Sequence, residues 1–170
     1  NDGWKLPTPS AFTPAEIAEV KAWVEQGGSL LLIADHMPFA GAATDLGAAF
    51  GVTWSNGFAR RVVPGGPDIF TLADGTLKDD VVTRGRSAEE RVARLRTFTG
   101  SAFRATAGAR PLIVFPQGYV SDEPKVAWVF DADTRQIDIG GALQGAAIPV
   151  GKGRVAVFGE AAMFSAQLGG

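Results

Sequence analysis

The sequence predicts an α/β layer fold built on a mostly parallel sheet, and three observations carry that expectation. A capped amphipathic helix over residues 14–26 runs directly into the apolar stretch "SLLLIA" at 29–34. "PLIVF" at 111–115 and "RVAVFG" at 154–159 are further apolar runs. Strands covered by helices on both faces read as continuous apolar runs, whereas half-solvated antiparallel strands alternate.

The first helix is signalled by Thr13 as N-cap, Pro14 at the first helical position and Glu16 completing a capping box. Ile17, Val20, Trp23 and Val24 fall on one face, and Gly27 and Gly28 stop it. After the strand at 29–34, a short helix with Ala43, Leu46 and Phe50 spaced for burial closes at Gly51. Asn56-Gly57 marks a turn and "VVPGGPD" a loop. Ser87 with Glu90 three residues on forms a second capping box, predicting a helix through about Phe98. "KVAWVF" and "QIDIG" around "DADT" read as a hairpin, and "AAIPV", "GKG" and "RVAVFG" as another near the C-terminus. A final helix start is expected at "AAMFSAQ".

Length and composition bound the rest. With 170 residues and 46% apolar content, one domain with a sizeable core is expected. Sixteen basic against eighteen acidic residues leave a formal net charge of -2, which gives no global attraction for nucleic acid or an anionic membrane. No apolar stretch reaches the roughly 18–20 residues of a membrane span. The absence of cysteine removes disulfides, thiolate metal sites and cysteine nucleophiles.

Chemistry is expected where central strands end. Two apolar runs finish in acidic residues, Asp35 and Glu160, and Asp35 is followed by His36, the only histidine. In open α/β sheets the carboxyl ends of parallel strands form the crevice where ligands bind. Asp35 and His36 share a site only if the strand has already ended, which Pro38 favours. One reading makes Asp35, His36 and Glu160 metal ligands or a general acid and base. The competing reading makes both acids caps of following helices and His36 an ordinary loop residue. One histidine and two carboxylates suffice for a three-ligand metal site, but their spacing matches no metal motif, so no cofactor is expected and a divalent metal stays an open option.

Other features point to structure. Seven arginines between Arg84 and Arg110 lack interleaved aromatic platforms and read as a solvated surface rather than a nucleic-acid strip. "GKGRVA" matches a loose dinucleotide fingerprint but joins two strands, so its glycines belong to a hairpin. There is no P-loop and no G-x-S-x-G elbow. Tyr119 and Ser165 have no chemical neighbours in sequence and read as ordinary residues.

Taken together, "AEIAEVKAWVEQGGSLLLIADH", "GKGRVAVFGE" and "AAMFSAQ" resemble the class I glutamine amidotransferase-like superfamily, in particular its bacterial GldG-like and ThuA-like branch. The resemblance implies a flavodoxin-like three-layer α/β/α fold with an antiparallel hairpin near the C-terminus. It also implies an exported or periplasmic protein, an upstream strand-helix unit before residue 1 and a closing helix beyond Gly170. Completion by that N-terminal part or by a homo-oligomer would follow. Without a cysteine, glutaminase chemistry by the family's route is excluded. Two functions remain: binding of a small molecule or protein partner at the C-terminal edge of the sheet, or hydrolysis through Asp35, His36 and Glu160.

Overall fold

The computed structural model describes residues 4–165. In chain order its elements are α1 (Pro14–Glu25), β1 (Ser29–Ile33), α2 (Phe39–Ala42), α3 (Thr44–Ala48), β2 (Val52–Trp54), β3 (Phe58–Arg61) and β4 (Asp68–Thr71). There follow α4 (Val81–Arg84), β5 (Arg94–Thr97), β6 (Phe103–Ala105), β7 (Arg110–Val114), β8 (Tyr119–Glu123), β9 (Arg135–Asp138), β10 (Leu143–Val150) and β11 (Gly153–Phe158). A 3-10 turn at Ala162–Phe164 ends the described chain, and Ala166 and Gln167 of the expected final helix lie outside the described residues.

This architecture corrects the expected fold class. The protein is mostly β, with a curled mixed sheet, and is not a three-layer α/β/α flavodoxin-like domain with a mostly parallel sheet. The main sheet runs β1-β11-β10-β6-β2, with β7 also paired to β10. Smaller sheets are formed by β3-β8-β9 and by β4-β5. Only β1 and β11 pair in parallel; every other pair of strands described is antiparallel.

The physical reason for the difference lies in β1. Its apolar run reflects a strand whose second face is left open among the described residues: Leu32 is buried, but Leu31 and Ile33 stay 55% and 36% exposed. An all-apolar run therefore does not certify two covering layers. One face of the sheet packs against α1 and α3, where Val24, Leu46, Phe50, Val155 and Val157 share a core. On the other face, Phe70, Leu77, Leu112, Phe115 and Phe158 form a second core beneath the β4–β5 pair.

Several local signals act as expected. Thr13 Oγ1 accepts from the Glu16 N–H at 3.3 Å while the Glu16 carboxylate accepts from the Thr13 N–H at 2.8 Å, closing the capping box of α1. Trp23, placed on the apolar face of that helix, instead lies over Gly28 and is half exposed. The β10–β11 hairpin forms around Gly151 in a left-handed conformation (φ +56°).

Two other expectations are corrected. The helix from Ser87 to Phe98 is replaced by turns and by β5, where Leu95 and Thr97 turn inward and Arg94 and Arg96 outward. The Glu90 carboxylate accepts from the Arg86 N–H and guanidinium rather than capping Ser87. "KVAWVF" does not pair with "QIDIG" either: β9 pairs with β8, and Lys125–Phe130 forms a loop bridged within itself at Val126–Val129 and to the N-terminal segment at Lys5–Val126. Pro124 ends β8 and keeps that loop out of the ladder.

Candidate functional site at the strand ends

Because β1 and β11 run parallel in register, with Ile33 opposite Phe158, their carboxyl ends bring Asp35 and Glu160 to one rim. The Ala34 N–H donates to Phe158 O at 2.9 Å, and Ser101 Oγ donates to Ala34 O at 2.7 Å, which joins a third segment to the rim. Gly159 is needed there because a Cβ would collide with the Ser101 carbonyl.

Both acids engage backbone amides. Glu160 is wholly buried, and its carboxylate accepts from the Ala162 N–H (2.9 Å), the Met163 N–H (2.8 Å) and the Phe98 N–H (3.3 Å). It caps the 3-10 turn and ties down the Phe98 strand end. Burial pushes its carboxyl above the ordinary range, and the nearby charge of Asp35 adds to the push; the three amides oppose it without prevailing. Asp35 Oδ1 accepts from the His36 N–H at 2.7 Å and Oδ2 from the Ala161 N–H at 3.2 Å.

His36 turns elsewhere. Its Nδ1 lies 2.8 Å from Met37 O, so this nitrogen is the donor in that contact. Its ring stacks on Phe58 (centroids 4.7 Å, 16° between planes) and meets the edge of Trp128 at 4.7 Å. Phe39 lies 5.9 Å away. The structure thus brings Asp35 and Glu160 together and directs the His36 ring into an aromatic group. Among the described residues, no three histidine, aspartate or glutamate side chains gather as a metal centre.

That aromatic group is the site the sequence did not disclose. Phe58 and Phe130 rings lie 5.2 Å apart and Phe58 and Trp128 rings 4.5 Å. Phe58 is buried beneath, while Phe39, Trp128 and Phe130 are each about half exposed, at 51%, 51% and 49%. Trp128 adopts a left-handed backbone (φ +68°), uncommon for a bulky residue. A cavity of about 330 Å³ opens between Phe58, Trp128, Phe130, Thr99 and the Arg60–Asp122 pair.

These rings form an aromatic shelf, and Arg60 lies at its polar rim. Its Nε pairs with Asp122 Oδ2, its second nitrogen reaches Oδ1 at 3.2 Å, and Gln136 Nε2 donates to the same oxygen at 2.9 Å. Burial alone would raise the Asp122 carboxyl, but Arg60 and Gln136 together hold it below the ordinary range. The rim is therefore a fixed, charge-balanced donor–acceptor edge.

Tyr119 is more than an ordinary residue: its buried hydroxyl receives from Arg61 Nε (2.9 Å) and donates to Asp68 (2.8 Å), tying β8 and β3 to the start of β4. Ser165 Oγ donates to Ala162 O at 2.9 Å.

No protein-family model matches the chain, and no curated protein matches it. Among solved structures it is similar to the mmIFT52 N-terminal domain, with a TM-score of 0.61 and 18% identity over 92% of this chain and 64% of that one. The chain therefore spans less than two thirds of the length of the structure it matches. At this identity the likeness concerns fold alone. It is to a mostly β fold with few helices, and it corrects the resemblance to the flavodoxin-like class I glutamine amidotransferase-like superfamily and its GldG-like and ThuA-like branch. The quoted stretches are a capped helix, a strand and a hairpin, which recur in unrelated folds. No helix among the described residues is long and apolar enough to cross a membrane.

Proposed function

We propose that this chain is a binding domain whose aromatic shelf, beside the carboxyl ends of β1 and β11, receives a small molecule or a peptide side chain. One observation carries the reading: the half-exposed rings of Phe39 and Trp128 flank His36, and half-exposed Phe130 joins them across the buried Phe58, next to a charge-balanced Arg60–Asp122 rim. Exposed rings offer apolar area at little entropic cost, and a fixed polar rim orients whatever stacks on them. The fitting occupant has a flat apolar face and hydroxyl or amide groups at its edge.

A larger concavity of about 380 Å³ between Trp54, Phe103 and Ile137 fits the role less well. Its Ser55 hydroxyl is already engaged, lying 2.7 Å from Ser121 Oγ and 2.9 Å from Glu123, and neither of its aromatic rings, Trp54 and Phe103, is exposed.

Hydrolysis is the second reading, favoured by the proximity of Asp35 to a Glu160 whose carboxyl is raised. Glu160 has no exposed surface, and its amide contacts describe a cap, so the binding reading has the stronger geometry.

The test is a titration of the protein with neutral oligosaccharides and with short tryptophan- or tyrosine-containing peptides, read by tryptophan emission and calorimetry. A saturable response lost in Trp128→Ala, and retained in the remote variant Trp23→Phe, is expected. No response to either class, or one unchanged by Trp128→Ala, would contradict the proposal.

A further inference from the structure

His36 keeps one bonding group in reserve. Its N–H donates to Asp35 Oδ1 at 2.7 Å, its carbonyl accepts from the Phe39 N–H at 2.9 Å, and its Nδ1 donates to Met37 O at 2.8 Å. Met37 is wholly buried, and its own N–H donates to Gly57 O at 3.1 Å, so the carbonyl that fixes the ring is fixed in turn. With its proton on Nδ1, the neutral imidazole carries its lone pair on Nε2. Nε2 has no partner among the described residues. The buried polar side-chain atoms left unpaired there are Trp54 Nε1, Thr97 Oγ1 and Gln144 Oε1, so Nε2 of this half-buried ring is open at the surface.

The ring neighbours of that nitrogen are apolar. The imidazole stacks on buried Phe58, meets Trp128 at 4.7 Å and lies 5.9 Å from Phe39, and both Trp128 and Phe39 are half exposed. The adjacent carboxylate of Asp35 already accepts from two backbone amides. A single free acceptor among apolar rings imposes a selection. An occupant that covers Nε2 without offering a donor strips it of water and gives nothing back. A pyranose brings several hydroxyls to one acceptor and leaves the rest unpaired, and a phenol adds a lone pair for which these rings have no donor. An indole brings one N–H, a donor only, at the edge of an apolar ring.

We propose that His36 is the specificity-determining residue of the shelf, and that its Nε2 accepts the N–H of an indole, the side chain of a tryptophan on a partner peptide, packed against Trp128 and Phe39. The inference rests on the shelf being the binding site and adds the chemistry of what it selects. The Nδ1 contact to Met37 O holds the acceptor ready, because the imidazole neither turns nor changes tautomer when the indole arrives. The rings supply contact area to any flat apolar group, and Nε2 supplies the discrimination: a ring of equal area without a donor leaves the nitrogen desolvated and unpaired.

Amide chemical-shift titration of the unmodified chain with N-acetyl-tryptophanamide and with its indole-N-methyl derivative tests this. The expected result is a dissociation constant about fivefold lower for the free indole, the size of one neutral hydrogen bond. A methyl group also adds bulk, so the comparison is repeated in His36→Phe, which keeps a ring and removes the acceptor. There the preference should vanish while both ligands still bind. Should that variant fail to fold, His36→Asn, which keeps a donor for Met37 O and has no acceptor at the Nε2 position, takes its place. Equal affinity of the two ligands for the unmodified chain, or a preference that survives in the variant, would overturn the role of His36 and leave the shelf standing. Binding of neither ligand would overturn the inference, and if the oligosaccharides give no response either, the shelf reading falls with it.

Discussion

The acid pair and the aromatic shelf occupy neighbouring ground, a few residues apart after β1, yet they differ in what their side chains still have to offer. Asp35 and Glu160 direct their carboxylate oxygens at five backbone amide contacts, and Glu160 has no exposed surface. Trp128, Phe130 and Phe39 keep about half of their surface open. Position at a strand end thus places a residue near a crevice without deciding its role. Unfilled contact area and unused bonding capacity decide it.

This contrast breaks most readily at Glu160. Replacing it with alanine strands buried amide donors from two segments, so Glu160→Ala should lower the unfolding free energy by on the order of 3 kcal/mol in urea denaturation. A loss near zero would show that the carboxylate is not a structural clasp. Its pH dependence sharpens the point. Its folded-state pKa is raised above the unfolded value, so its contribution to stability is full in acid and is lost as pH rises through the raised value. Measured against the non-titrating Glu160→Gln, the wild type should therefore gain relative stability on going from neutral to mildly acidic solution; the opposite slope would reverse the direction assigned.

Asp35→Ala removes two amide contacts at a half-buried position and should cost about 1 kcal/mol, typical of losing a local cap. Trp128→Ala should have the smallest effect on folding, within about 1 kcal/mol for a half-exposed ring, together with the largest effect on binding. If Trp128→Ala unfolds the protein, the shelf is a core element and the contrast with the acid pair disappears.

Local signals were legible in the sequence and pairing was not. The Thr13–Glu16 capping box and the Gly151 hairpin depend on contacts within a few residues, and both form as the residue types predict. Ser87 and Glu90 show the limit of such signals: the same spacing lies beside Gly85, whose left-handed backbone (φ +67°) starts a turn, and the alternation of Arg94, Leu95, Arg96 and Thr97 takes the segment into a strand. The apolar run of β1 says that the strand is apolar, but whether its second face meets a helix or nothing depends on distant residues. Adjacency of Asp35 and Glu160 followed from their strand-end positions once β1 and β11 paired in parallel. The shelf left no comparable trace, because its rings come from residues 36–39, 58 and 128–130, with no shared period. Its one sequence clue was a pair of aromatics, Trp128 and Phe130, in a run bounded by Pro124 and the turn at Asp131.

The most direct test of the account is amide chemical-shift mapping of the whole chain during titration with the oligosaccharide and aromatic-peptide panels. The account predicts saturable shifts concentrated at His36, Phe58, Arg60, Trp128 and Phe130, with Glu160, Ala162 and Met163 unmoved. Shifts centred on Glu160 and Asp35, with Trp128 silent, would contradict it and return the function to the acid pair.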